Sequence, residues 1–350
     1  MECSVLLAKA TDRPGGWSKC CLDLVEDVYN EFLSEHDQLY NEAKTTGDHR
    51  EVTSHYYSVM SKVIDEYFGG NFHFAPPRKN NLTLEEALGD LHRRIGQKLG
   101  LAEGRSCVDL GCGIGGVIRD LAPTKANLVG ITIAANEVEI GNNDFLKMGI
   151  ESKCRLVEGD CQDVPLEDSS QDAAYAVYSL KYIPHLDGVM KEATETSREL
   201  FQVSRILKKD GLFLVYDLIK TDKYDEKNET HAEIVEGLEY ACGMPSLHTR
   251  AEMIAAAERY GLCLEEEEDL AITNKMPFHY CFSHSPTFMW LVESSLIRGL
   301  VSVAQALRIL PQGFDAFNNI FLSGTVQKIV AGGKLGILSG SKILLFKNKA

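Results

Sequence analysis

Nine consecutive residues, Val108-Asp109-Leu110-Gly111-Cys112-Gly113-Ile114-Gly115-Gly116, place an acid immediately before a run of closely spaced glycines. Glycine tolerates positive φ and carries no Cβ, so Gly111 and Gly113 can bring bare backbone against a ligand. A helix opening just after the turn would add unpaired N–H groups and the positive end of its dipole. Turns use glycine for structural reasons as well, so the triplet alone says little. The form Asp-x-Gly-x-Gly-x-Gly-Gly is sharper, because it differs from the dinucleotide fingerprint by the acid before the first glycine.

A strand must deliver this turn and a helix must leave it. Short apolar runs supply strand candidates at Ser106–Leu110, Asn127–Ile131, Cys154–Val157, Ala173–Tyr178, Gly211–Leu218 and Leu262–Glu265, with Ser341–Phe346 as a last strand. Amphipathic stretches lie between them at Ile114–Leu121, Asn136–Met148 and Val189–Leu207. Alternating strands and helices predict an α/β, Rossmann-like, mainly parallel sheet with helices on both faces. Ligands of such sheets sit beyond the carboxyl ends of the strands, where strand order reverses.

Upstream, helices are expected from Ser18 to Lys44 and over residues 51–68, broken by Pro76-Pro77. Thr83 with Glu86 forms the pattern of a capping box, opening a helix to Leu99. Downstream, Ser285 to Leu310 reads as an amphipathic helix with high apolar content. It could pack on the core, line a lipid-sized pocket or rest on a membrane. The acid run Glu265–Asp269 reads as a solvated strand end. The expected organisation is an N-terminal helical arm and lid over residues 1–100, a ligand-binding core over 101–270 and a C-terminal region over 271–350.

Composition narrows the partners. The chain of 350 residues carries a formal net charge of -15, which repels nucleic-acid phosphates and argues against an electrostatic hold on anionic membranes. Its ten cysteines include no C-x-x-C pair, and no Cys/His block has zinc-site spacing, so no metal is expected. The thiols read as reduced. The first residues hold only a short apolar run, Val5 to Ala8, unlike a signal peptide. A cytoplasmic protein is expected, with peripheral contact at the endoplasmic reticulum membrane and homo-oligomerisation left open.

The glycine turn resembles motif I of class I S-adenosylmethionine-dependent methyltransferases. That resemblance implies S-adenosylmethionine as cofactor, with Gly111 and Gly113 at its amino-acid end and Asp109 holding the loop or the methionine ammonium. Glu158-Gly159-Asp160-Cys161 matches a second element, where the family places an acid near the adenine amine. Asp160 could equally be a turn or cap aspartate. After the second strand the sequence reads Gly130-Ile131-Thr132-Ile133, without the acid many relatives use for the ribose. Thr132 is left as the candidate there.

Three further segments are similar to sterol C-methyltransferases: Asp65 to Phe74, Thr221 to Asn228 and Val330 to Lys334. The similarity runs from about residue 55 to 348. Two departures matter. The aromatic segment lacks the family's tryptophan, and Tyr178 stands where enzymes that methylate the sterol side chain carry an acid. The pattern resembles nematode-type sterol 4-C-methyltransferases, which act on the A-ring beside a 3-keto group.

The resemblance implies C-methylation of a sterol through an enolate. His185 and His73 are the candidate bases, since imidazole titrates near about pH 6.5. Tyr178 and Tyr182 are candidates to polarise the ketone oxygen. Tyr67, Phe72 and Phe74 are candidates to hold the sterol. Bland readings stand beside these: an exposed His185, a packed His73, and core roles for Phe72, Phe74 and the pair Tyr56-Tyr57. Side-chain methylation at carbon 24, methylation of another small molecule and non-catalytic sterol binding remain alternatives.

Overall fold

A computed structural model describes residues 19–68, 71, 73–76, 83–184, 198–281, 287, 290, 294–307, 309 and 318–349. Two N-terminal helices, α1 (Lys19–Thr46) and α2 (Arg50–Phe68), precede α3 (Leu84–Lys98). The expected capping box is formed: Thr83 accepts from the Glu86 N–H, and the Glu86 carboxylate accepts from the Thr83 N–H. The core follows as β1 (Ser106–Leu110), α4 (Gly116–Leu121), β2 (Asn127–Thr132), α5 (Ala135–Met148), β3 (Cys154–Glu158) and β4 (Gln171–Val177). Then come α6 (Arg198–Ile206), β5 (Leu207–Lys220), α7 (Glu229–Cys242), α8 (Arg250–Arg259) and β6 (Leu262–Asp269). The short α9 (Leu270–Thr273), α10 (Ser295–Ala306), α11 (Ser323–Leu335) and β7 (Leu338–Asn348) complete the described α-helices and strands.

The seven strands form one sheet in the order β3-β2-β1-β4-β5-β7-β6. β1 to β5 are parallel, and β7 runs antiparallel between β5 and β6. Side chains alternate across the sheet with period two. Tyr175 and Val177 of β4, with Leu214 and Tyr216 of β5, enter the core on one face. Ala174 and Ala176, with Phe213 and Val215, enter the core on the other. Strands apolar on both sides are what a parallel sheet covered by helices requires.

Strand order reverses between β1 and β4, because β2 and β3 continue one way and β5 the other. The glycine turn leaves β1 at this switch point. It is the feature of the fold that locates the site.

Glu265, Glu266 and Glu267 are exposed at a strand end as expected, but the strand runs further than its apolar residues suggest. The acids at Glu265–Asp269 belong to β6, which continues to Asp269 beside β7. Cations neutralise them: Glu268 pairs with Arg94 and Lys98, and Glu267 with Arg250 and Lys342. The C-terminal amphipathic helix covers Ser295–Ala306, and its apolar residues do not enter the described core. Leu296, Leu300 and Leu307 are 70%, 63% and 66% exposed, and Trp290 and Val303 are exposed beside them. Of the helix expected over Val189–Leu207, residues 198–206 are seen and the remainder lies outside the described residues.

Candidate active site

The carboxyl ends of β1, β2, β3 and β4 open into one cleft of about 1200 Å³. Its far wall comes from the N-terminal arm, through the turn between α1 and α2 and through Tyr57, Asn71 and His73. Asp109, Gly111, Gly113, Thr132, Asp160, Cys161, His73, Tyr178 and Tyr182 all line it, so one space gathers residues from five separate stretches of sequence.

The glycines differ in what they permit. Gly111 has φ +77, and a Cβ there would overlap the Ser179 side chain, whose hydroxyl donates to the Leu110 carbonyl at 2.6 Å. Gly111 and Cys112 both donate their N–H groups to the Ile131 carbonyl at 3.0 Å, which pins the turn to β2. Gly113 has φ +52 with nothing within 4 Å of the position a Cβ would take, so it faces open cleft.

Asp109 is buried, and its Oδ2 has no hydrogen-bond partner. Burial pushes its carboxyl up to about 7, opposed by the neighbouring Tyr175 hydroxyl. An orphaned carboxylate oxygen on a cleft wall suits a cationic ligand group such as an ammonium.

An acid does stand after the second strand. Glu137, on the first turn of α5, lines the cleft and accepts a 2.6 Å hydrogen bond from the Thr132 hydroxyl. Burial raises its carboxyl above the usual range, and the Thr132 bond opposes this. The hydroxyl of Thr132 is therefore committed to Glu137, and the carboxylate is the stronger candidate for sugar hydroxyls. On β3's end, Asp160 Oδ1 accepts from the Gln162 N–H at 2.8 Å, the turn role, while Oδ2 stands 3.9 Å from Arg50. A buried acid with one orphaned oxygen, a glycine cradle and two further acids beside neighbouring strand ends fit S-adenosylmethionine in its amino-acid, ribose and adenine parts.

The remaining residues form the opposite half. The Tyr57 and Tyr182 hydroxyls are 2.7 Å apart. Burial raises both phenols well above the ordinary value, so both stay protonated. From sequence the pair Tyr56-Tyr57 reads as core; Tyr56 is fully buried core, whereas Tyr57 lines the cleft. The Tyr178 hydroxyl donates to the Gly340 carbonyl at 3.0 Å, so it is spent on β7 and not free to polarise a ketone. Tyr178 contributes its ring and a strained backbone, φ +56, at the end of β4.

His73 is buried with its ring centroid 6.2 Å from that of Tyr178. Burial, His92 and the Lys181 ammonium hold its imidazole well below the ordinary value, so the ring is neutral and able to accept a proton. Phe74 is packed in the core edge-on to Tyr178, and its carbonyl accepts from Tyr216 at 2.7 Å. Tyr67 lies on α2. Phe72 and His185 lie outside the described residues.

Among solved structures the fold is similar to geranyl diphosphate C-methyltransferase of Streptomyces coelicolor, with a TM-score of 0.61, 16% identity and coverage of 86% of this chain and 97% of that one. A sarcosine dimethylglycine methyltransferase from Galdieria sulphuraria gives a TM-score of 0.60 at 15% identity, over 83% and 98% of the two chains. In sequence the chain is 57% identical to the sterol 4-C-methyltransferase strm-1 of Caenorhabditis elegans over 319 residues, 91% of this chain and 92% of the relative. It is 28% identical to the sterol 24-C-methyltransferase of Yarrowia lipolytica over 82% of this chain and 76% of that one. Residues 37–274 match the profile of mycolic acid cyclopropane synthetase, a stretch that holds the glycine turn, both cleft walls and the parallel part of the sheet. With the cofactor fit above, the chain belongs to the mycolic acid cyclopropane synthetase family of S-adenosylmethionine-dependent methyltransferases.

Proposed function

We propose that this protein methylates carbon 4 of a 3-keto sterol by way of an enolate. The observation that carries the reading is the pairing, in one cleft, of a neutral imidazole on His73 with the hydrogen-bonded phenols of Tyr57 and Tyr182. The 57% identity to a sterol 4-C-methyltransferase supports it.

S-adenosylmethionine, when bound, supplies an electrophilic methyl on a positively charged sulfur. Asp109, Gly111 and Gly113 would hold its amino-acid end, and Glu137 and Asp160 its ribose and adenine. A saturated carbon beside a ketone is no nucleophile until it loses a proton. His73 accepts that proton at Nδ1, because its Nε2 is bonded to His92. The ketone oxygen then gains negative charge. The two phenols share one proton in their mutual bond and leave the second to donate to that oxygen. Side-chain methylation instead leaves a carbocation, which a carboxylate would stabilise. Tyr178 occupies that position with its hydroxyl tied to the backbone of β7.

No described helix is long and apolar enough to cross a membrane. Sterols reside in membranes, and the exposed apolar stripe of α10 supports contact with a neutral lipid surface, as for an interfacial helix. The test of activity is an assay with methyl-labelled cofactor against matched 3-keto and 3-hydroxy sterols. Label on carbon 4 of the 3-keto substrate is expected. Label on the side chain, or turnover that ignores the 3-keto group, overturns the enolate route.

A further inference from the structure

Behind His73 the structure holds a chain of short hydrogen bonds that leads out of the cleft. His73 Nε2 is 2.6 Å from His92 Nε2, and His92 Nδ1 is 2.6 Å from Asp120 Oδ2. The three come from different parts of the chain: the segment before α3, the buried face of α3, and α4. His73 lines the cleft and His92 is fully buried, while the Asp120 side chain is 44% exposed. We propose that His73, His92 and Asp120 form a proton relay that carries the substrate's proton from the cleft to solvent. In it His92 and Asp120 act as positioning residues for the base. The proposal rests on the enolate reading above.

The geometry dictates the tautomers. An Asp120 carboxylate can only accept, so His92 carries its proton on Nδ1 and turns a lone pair at Nε2 toward His73. His73 must then donate from Nε2, which leaves its Nδ1 unprotonated. An isolated neutral histidine chooses freely between tautomers; here the acid two steps away makes the choice.

The step balances as follows. The substrate C–H bond breaks, its electron pair stays on the substrate as the enolate, and its proton passes to His73 Nδ1. The Nε2 proton of His73 moves to His92 Nε2, and the Nδ1 proton of His92 moves to Asp120. Asp120 gives it to water. The charge that would otherwise build up on the buried His73 imidazolium is moved to the surface.

The surroundings agree. The groups that face His73 are His92 from α3, the Lys181 ammonium beyond β4 and the Tyr178 ring. Lys181 opposes a second positive charge on His73. Its own Nζ donates to the Tyr178 carbonyl at 2.6 Å and lies 4.4 Å from that ring's centroid. At the outer end Arg93 pairs with Asp90 on α3, and Asp120 accepts the hydrogen bond from His92 Nδ1.

The test uses Asp120→Asn, Asp120→Glu and His92→Gln in the full chain, with thermal unfolding and calorimetric cofactor binding as controls. Asp120 lies outside the cleft wall, so cofactor affinity should not change. For Asp120→Asn and His92→Gln, kcat should fall by about 10- to 100-fold with little change in KM, within the range of general acid–base effects. The acid limb of the kcat profile should move down by about one pH unit in Asp120→Asn, because the base loses the carboxylate that favours its protonated form. Asp120→Glu should restore both. In deuterated water with the demethylated cofactor bound, wild-type protein should exchange the carbon 4 hydrogen of the 3-keto sterol, and Asp120→Asn should exchange it at least tenfold more slowly. Folded variants with wild-type kcat, exchange and pH profile overturn the relay alone. Failure of the wild-type protein to turn over any 3-keto sterol overturns the functional reading instead, and the two results are told apart by that control.

Discussion

Tyr57 on α2 and Tyr182 beyond β4, 125 positions apart in sequence, hold their hydroxyls 2.7 Å from one another on the wall of the cleft. Two phenols in contact have two protons and need only one for their own bond. Removing either hydroxyl frees the other's proton for the substrate, so the losses should not add. Tyr57→Phe and Tyr182→Phe should each lower kcat by about 10-fold or less. The double variant should lose about 1000-fold, at least tenfold more than the product of the two single losses and on the scale of a deleted oxyanion donor. Steady-state kinetics of the double-mutant cycle checks this, and strict additivity would remove the shared-donor role.

The two glycines of the turn should fail in different ways. Gly111→Val puts a branched side chain at φ +77 against Ser179. It should cost more than about 2 kcal/mol of stability, because L-residues resist that conformation even before the overlap. Gly113→Ala meets nothing within 4 Å, so it should cost about 1 kcal/mol or less while weakening cofactor affinity at least 10-fold by filling ligand space. Chemical denaturation and calorimetry on the same samples separate the two. Tight cofactor binding by folded Gly113→Ala would place the ligand elsewhere.

Asp109 makes cofactor binding depend on pH. Its folded carboxyl is raised to about 7 from 3.8, so the folded protein holds the proton more tightly than the unfolded chain. The stability this contributes is fully present below pH 3.8 and is lost as pH rises through about 7. A bound ammonium reverses the preference, favouring the carboxylate and expelling the proton. Affinity should therefore rise between about pH 6 and 8, with proton release seen as a buffer-dependent calorimetric enthalpy. Asp109→Asn should abolish both the release and the slope. A pH-independent affinity in the native protein would dissociate Asp109 from the cofactor's cation.

Leu296, Leu300, Val303 and Leu307 recur along one face of α10 and are all exposed. Changing Leu296, Leu300 and Leu307 together to Ser should leave the melting temperature within about 2 °C, since surface changes of this kind shift stability little. The same protein should lose most of its sedimentation with neutral phosphatidylcholine vesicles. Retention of vesicle binding would remove α10 as the contact.

Much of the sheet was legible because β strands reveal themselves by short apolar runs and the turn by its glycines. Four of the site's residues were not, for identifiable reasons. Glu137 lies five positions past Thr132, and only the tight bend from β2 into α5 folds it back over the strand end. His92 shares the buried face of α3 with Leu88, Leu91 and Ile95, where sequence periodicity reads it as core. Asp120 looks like any acid on a short helix until α3 packs against it. Tyr57 hides beside the truly buried Tyr56. Tyr178 misleads in the other direction: the carbonyl that takes its hydroxyl comes from Gly340, far along the chain, which no local pattern reveals.

The placement of β7 has a bearing on how the molecule is born. β7 is the last of the seven strands in sequence yet lies inside the sheet, and β6 touches the rest of the sheet only through it. During synthesis the parallel strands β1 to β5 and the glycine turn are available first, while β6 waits with an open edge for residues 338–348. A chain that has not yet reached residue 340 lacks the carbonyl that anchors Tyr178. The acceptor wall is therefore the last part of the cleft that synthesis can complete, because its Tyr178 anchor arrives only with the final strand.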